Sequence, residues 1–497
     1  MNQPQQRSKL ERILPKGSGS LFFIQVFATL GFAVLYSTLV LYMTDKLKFS
    51  AVAAAGIMGS FTAFNYALHL LGGYCGGRLL SNRNLFTIGM LLQVIGCWTL
   101  ASATASHLYW GLAFFLTGSG LNVTCINMML TQRYAPEDKA RESAFLWNYS
   151  GMNIGFMIGF IVAGHFQLTH DYHSLFLLTS LGNAITLVIL FFNWQGVADR
   201  TTQLKEATRT EFTRRSLAGL TLIIILIPII KTFLTHSKFS HSLVLIVGSI
   251  MVLVIAFLAI RQPNLVSRNK VFAYLIFSLA SLIFWVQALL APMALTIFAE
   301  HNVNLHLFGI QIAPQWLLNV NTVVIIIGGP LLTFLFNYLR DKNIHISLAT
   351  QFACSLLLAG AGIALLPIGI HFASTSGYVS VVWVLLSYGL QSAGELFMGP
   401  IGYAMIGQLA PKNLQGVMMG TWMMVSGVAG VLAAQVSALA VGSHTNTTNP
   451  LITNPDYSHT FNMLGWASIL IGILLLFAVP KIKKSHPRAF GFKSQLK

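Results

Sequence analysis

One carboxylate, Glu395, stands in an otherwise uncharged apolar stretch from Trp383 to Met398. It is the only one of the 13 acidic residues to fall deep inside a predicted membrane span. An ionised carboxylate at mid-membrane costs about 2.5–3.5 kcal/mol on insertion scales, so such a group usually faces a cavity and serves a ligand, an ion or a proton. A protonated Glu hydrogen-bonded between helices is the competing reading, and the functional one is preferred. His69 lies three residues after Tyr66, on nearly the same helical face. An imidazole there could titrate near neutral pH, although a neutral, hydrogen-bonded His is the plainer reading. The remaining chemistry-bearing residues form no pattern. Serines and histidines are scattered without a nucleophile elbow, and no Gly-Lys-Ser/Thr phosphate loop occurs. Cys75, Cys97, Cys125 and Cys354 lie far apart in apolar stretches, which is neither a disulfide framework nor a metal-ligand spacing. Neither an enzyme nor a metal or cofactor site is expected.

The elements that must position Glu395 and His69 follow from composition. Of 497 residues, 9% are charged and 55% hydrophobic, with a mean hydropathy of +0.70. A soluble domain carries about a quarter charged residues, so this is an all-α polytopic membrane protein. The net charge of +17 would suggest a nucleic-acid partner in a soluble chain. Here the basic residues sit in loops and tails beside the spans, which is a topology signal, and no nucleic-acid partner is expected.

Apolar runs long enough to cross a bilayer are expected near 20–43, 52–76, 85–104, 108–131, 144–167 and 174–194, then near 216–235 and 241–260. Six more follow near 271–299, 317–339, 346–371, 378–409, 413–441 and 460–480. The polar N-terminus, 1–19, has no cleavage signal after it, so the first span is expected to stay as an anchor. Lys and Arg recur in every second loop, including Arg78 with Arg83, Arg133 with Arg141, the 195–215 linker, Arg261 with Lys270, and Lys412. Fourteen spans with both termini in the cytoplasm satisfy the positive-inside rule throughout. The expected organisation is a tail, 1–19; a six-helix bundle, 20–194; a cytoplasmic linker with two extra helices, 195–270; a second six-helix bundle, 271–480; and a basic tail, 481–497. Two six-helix halves around a central pathway is the major-facilitator plan.

Several segments resemble the proton-dependent oligopeptide transporters, the peptide branch of the major facilitators. Phe145 to Gly155, with Tyr149 and Asn153 inside it, is similar to their fifth-helix signature. Leu39 to Tyr42 with Thr44-Asp45 resembles the end of the first helix, and Gly72-Gly73 with Arg78 and Arg83 the second helix and its loop. Phe284-Trp285 with Phe298-Ala299 resembles the seventh, and Glu395-Leu396, Leu409 to Pro411 and Gly416 to Trp422 the tenth and eleventh. The likeness covers nearly the whole chain in order, and two extra helices are typical of bacterial members.

The resemblance implies a substrate site. Glu395 would receive a peptide's amino group, Asn153 would hold its backbone, Tyr66 would line the pocket, Asn321 would give a further hydrogen bond, Tyr149 would belong to the binding site, and Trp422 would form a wall. It also marks departures. The family's first-helix ExxER signature, the two tyrosines after it and a further arginine fall at Gln25, Ala28, Thr29, Phe32, Ala33 and Tyr36. The fourth-helix lysine falls at Val123, a seventh-helix glutamate at Leu289, and Thr322 replaces the proline that commonly follows Asn321. Losing all these charges together strands none of them. Proton coupling is therefore expected to be atypical or absent, with Glu395 and His69 as the remaining candidate proton carriers. The expected activity is alternating-access transport of di- or tripeptides, or of peptide-like amines, in the inner or plasma membrane. The partners would be a small-molecule substrate, protons and the lipid bilayer. A receptor or scaffold that kept the fold is the alternative, and a membrane enzyme is a remote third.

Overall fold

The computed structural model describes residues 18–135, 138–342, 344, 346–411, 414–442 and 447–485. The tails expected over 1–19 and 481–497 lie mostly outside those residues, as does Lys412. Fourteen helices among the described residues are long and apolar enough to span a membrane. In chain order they are α1 Gly19–Leu41, α2 Ala51–Cys75, α3 Asn82–Ala101, α4 Ala105–Thr131, α5 Lys139–Leu168, α6 Tyr172–Phe192 and α7 Arg209–Thr235. The second seven are α8 Ser237–Ile260, α9 Leu265–Asn302, α10 Pro314–Asp341, α11 Leu348–His371, α12 Val381–Leu409, α13 Gln415–Val441 and α14 Pro450–Ser485. Helices satisfy every backbone polar group internally, which the hydrocarbon phase demands.

Two of these helices are interrupted. In α9 a π turn, Ala291–Leu295, follows Leu290, and Met293 leaves helical geometry beside Pro292. Proline removes a backbone donor and accounts for the break. In α10 a short helical turn, Pro314–Leu317, precedes the main helix, Asn319–Asp341.

The chain divides into two compact units. The first contains the described residues up to Thr38 together with Phe64–His236. Within it α3 packs on α4 and α6, and α7 lies against α4. Gly89 and Gly118 bring α3 and α4 so close that a Cβ at either would overlap the other helix, the small-residue contact that membrane helices favour. Leu85, Phe86, Met90, Leu121, Cys125 and Leu130 fill the core of this unit. Lys231, near the end of α7, holds its amine 5.0 Å from the Trp110 ring centroid.

The charged linker after α6 is docked on this unit. Asn82 donates to Asp199 Oδ2 through its backbone N–H at 2.9 Å and through its side chain at 3.2 Å. Leu204 N–H donates to the carbonyl of Gly77 at 2.9 Å, and Gln132 Oε1 accepts from Arg200 N–H at 2.7 Å. Gly77 has φ +75°, a conformation that disfavours a side chain. Asp199 thus supplies a carboxylate at the N-terminus of α3, where free N–H groups and the helix dipole favour negative charge. Asp199→Ala is expected to cost about 0.5–2 kcal/mol, the range for losing a capping acceptor. The readout is faster trypsin cleavage after Arg200 or Lys205 in the folded protein, and an unchanged rate would refute the docking role.

The second unit contains Leu39–Ala63 and the chain from Ser237 onward. Here α11 packs on α12 and α14, α13 on α9 and α8, and α10 on α12. Phe277 stacks on Phe352 at 4.9 Å in a core that also holds Phe284, Met398 and Met418. The extra helix α8 is fastened by His241, whose ring Nε2 lies 3.0 Å from the carbonyl of Gly56. The two extra helices therefore belong to different units. Only 22% of the most apolar window of α7 and 11% of that of α8 are buried, as expected of helices that face lipid.

Candidate functional site

Glu395 lies fourteen residues from either end of α12, at the middle of the helix. Asn321, in the first turn of the main helix of α10, donates through Nδ2 to Glu395 Oε2 at 2.6 Å. The same amide nitrogen lies 3.1 Å from Ser392 Oγ, which itself donates to the carbonyl of Tyr388 at 2.6 Å. The interruption of α10 just before Asn319 sets the start of the helix that presents Asn321. Glu395 and Ser392 are three residues apart on one helix and so share a face. The hydrogen bond from Asn321 is made to Oε2. A carboxylate can accept several hydrogen bonds on its two oxygens, so this one retains capacity for a cationic donor. Thr322, at the position where the resemblance leads one to expect proline, is buried.

Trp422 belongs to the same unit and is also buried. Its indole packs edge-on to Phe352, with ring centroids 6.4 Å apart, and lies against Gly402. Tyr274, nearby in the same core, donates its hydroxyl to the carbonyl of Met418 at 2.7 Å.

The first unit holds the other candidates. Tyr66 and His69 are half-buried and meet edge to face, with ring centroids 5.7 Å apart. His69 Nε2 lies 3.5 Å from Asn65 Nδ2, and Ser119 of α4 donates to Asn65 Oδ1 at 3.2 Å. His69 thus sits at the end of a polar relay that joins α2 to α4. Asn153 is buried and donates to the carbonyl of Tyr149 one turn earlier at 2.9 Å, while Tyr149 is 49% exposed.

The structure also shows what fills the first-helix positions where the family resemblance marks missing charges. Gln25 donates to Thr29 Oγ1 at 2.8 Å and accepts from Asn148 Nδ2 at 3.3 Å. A neutral amide network occupies the place, so no buried charge there lacks a partner. Val123 is 45% exposed and Leu289 is buried. Sequence reasoning had not singled out Asn148, Asn65, Ser119 or Ser392. For Ser392 the spacing to Glu395 was the available signal. For Asn65 it was the four-residue spacing to His69; for Asn148 and Ser119 the partner lies on a different helix, and spacing along one chain segment carries no trace of it.

Comparison with known proteins gives a consistent picture. A sequence model described as the POT family matches residues 83–452. "Dipeptide and tripeptide permease A" of Citrobacter koseri is 29% identical over 473 residues, spanning 95% of this chain and 93% of that protein. The protein of the same name from Salmonella typhimurium is 28% identical over 476 residues, with the same two coverages. A crystal structure of "peptide transporter POT in complex with sulfate" superposes with a TM-score of 0.82 at 24% identity, covering 95% of each chain. At that identity the likeness concerns the fold, which is that of the major facilitators.

Proposed function

This chain belongs to the POT family, and from that membership we propose that it carries di- or tripeptides, or peptide-like amines, across a membrane by alternating access. The observation that carries the reading is the Asn321–Glu395 hydrogen bond of 2.6 Å. It fixes one carboxylate oxygen midway along a span and leaves the other to accept an ammonium group. The relatives named dipeptide and tripeptide permeases support the substrate class. Tyr66, Tyr149, Asn153 and Asn321 are the proposed polar contacts, and Trp422 a proposed wall. The membrane is proposed to be the inner or plasma membrane, with both termini in the cytoplasm, on the distribution of Lys and Arg among the loops.

Saturable uptake of a dipeptide panel into proteoliposomes tests the proposal. Saturable binding without flux would make the protein a receptor and overturn it.

Coupling is proposed to be weak or absent, because Gln25, Thr29 and Asn148 form a neutral network and Val123 and Leu289 carry no charge. A pH difference of one unit holds about 1.36 kcal/mol per proton, enough for about tenfold accumulation of a neutral dipeptide in a coupled carrier. Accumulation of less than about twofold is expected here, as a small fraction of that limit. Any residual drive should depend on Glu395 or His69. Strong accumulation that survives Glu395→Gln combined with His69→Ala would show a carrier elsewhere.

A further inference from the structure

The outer face of the first unit carries a groove of about 430 Å³ between α3 and α6. Its walls are Thr87 and Leu91 of α3, Leu187, Val188 and Phe191 of α6, and Trp194 just beyond α6. Both helices are membrane spans, so water does not fill this groove in the folded protein's own setting. Phe191 is 74% exposed and Leu91 47%, so these walls face outward from the protein. From Arg83, at the start of α3, to Leu91 is eight residues, or about 12 Å of helix. That length suits roughly the upper half of a phospholipid acyl chain.

One end of the groove is charged. The guanidinium carbon of Arg83 lies 4.0 Å from the Trp194 ring centroid, and Arg83 Nη1 donates to the Trp194 carbonyl at 2.7 Å. Arg83 therefore stands over the residue that closes the groove. Arginine carries five donors in a planar fork suited to phosphate. One is spent on Trp194, and Nε is enclosed with no hydrogen-bond partner. Asp199 interacts electrostatically with Arg83 and accepts from Asn82 through Oδ2.

We propose that the α3–α6 groove is a specific site for an anionic phospholipid, with one acyl chain lying along Leu91 and Val188 and the headgroup phosphate held by Arg83. The apolar trough and the cation sit at the spacing of a lipid's chain and headgroup. Either feature alone would be ordinary for a membrane protein; their continuity through Trp194 is what selects this ligand. A net negative headgroup is favoured over a zwitterionic one because the cationic choline of the latter would be repelled by Arg83.

Native mass spectrometry of the full chain, purified in detergent and offered equimolar dioleoyl phosphatidylglycerol and dioleoyl phosphatidylcholine, tests the site. Phosphatidylglycerol adducts are expected to exceed phosphatidylcholine adducts by about fivefold, the ratio that about one surface cation confers. Arg83→Gln should abolish that preference. Val188→Trp, which fills the trough and leaves Arg83 in place, should lower phosphatidylglycerol retention. Equal retention of the two lipids by the unaltered protein would overturn the proposal, as would undiminished phosphatidylglycerol retention in Val188→Trp. If Arg83→Gln does not elute as a single folded species, the lipid preference and Val188→Trp decide the question between them.

Discussion

Glu395→Gln is expected to weaken binding of a dipeptide with a free amino terminus by about 2–5 kcal/mol, the range for removing one partner of a desolvated charge pair. Much of that loss is the cost of leaving the substrate ammonium without a counter-charge. The substitution keeps the shape of the side chain, and a Gln oxygen can still accept from Asn321, as Glu395 Oε2 does at 2.6 Å. Folding and insertion should therefore survive, and the effect should fall on affinity. Two comparisons isolate the charge. An N-acetylated dipeptide, which has no ammonium, should bind the unaltered protein weakly and lose little more in Glu395→Gln. Asn321→Ala should weaken the free-amine substrate by less than Glu395→Gln does, since it removes a positioning hydrogen bond and keeps the carboxylate. Unchanged affinity for the free-amine dipeptide in a correctly inserted Glu395→Gln protein would remove Glu395 from the site.

How far such a site is visible beforehand depends on what kind of force makes each part of it. Glu395 could be read directly, because a lone charge in an apolar run breaks the rule that the bilayer imposes on every span. The fourteen spans were legible for the same reason. Their ends were less so. The last was expected near 460–480, yet α14 begins at Pro450. Its first turns include Thr453, Asn454 and Tyr457, polar enough to lower the local hydropathy. Asn302 Nδ2 donates to Thr453 Oγ1 at 2.7 Å and to Asn454 Oδ1 at 2.9 Å, so the partners that make those residues tolerable lie far away in sequence. The break in α9 had Pro292 as a signal, but hydropathy is blind to a kink; the break in α10, between Leu317 and Asn319, had no proline, since Pro314 opens that helix. Asn321 was reached only through resemblance, since nothing in its own segment marks it as the partner of Glu395. The division of the two extra helices between units was likewise hidden. It rests on contacts such as His241 with Gly56, and a pair like that has no local signature.

The substrate's other end should decide preference among peptides. An ordinary dipeptide carries a carboxylate, and taking that charge out of water without a cation is costly. The position where the resemblance leads one to expect a lysine is Val123, and the arginine of the first-helix ExxER signature falls at Thr29. Neither supplies charge, and Thr29 is already engaged with Gln25 at 2.8 Å. Among the twelve spans matched to the family, none carries a Lys or Arg at its middle. A C-terminal amide replaces the anion by a neutral group that keeps hydrogen-bonding capacity, so it avoids most of the desolvation cost. The amide of a dipeptide is therefore expected to bind at least as tightly as the free acid, with a preference of about tenfold, or about 1.4 kcal/mol, when the carboxyl end is dehydrated on binding. Asn122 is buried against Gly89 of α3, but Thr124 and Asn127 offer neutral polar groups along α4 and can offset part of the cost, which keeps the result a preference and not an exclusion. Val123→Lys should reverse the order by giving the free acid a counter-ion. Parallel binding titrations of one dipeptide and its amide against both proteins make the measurement. Tenfold tighter binding of the free acid by the unaltered chain would mean that a cationic or strongly donating group already waits for the carboxylate, and the argument from Val123 and Thr29 would fail.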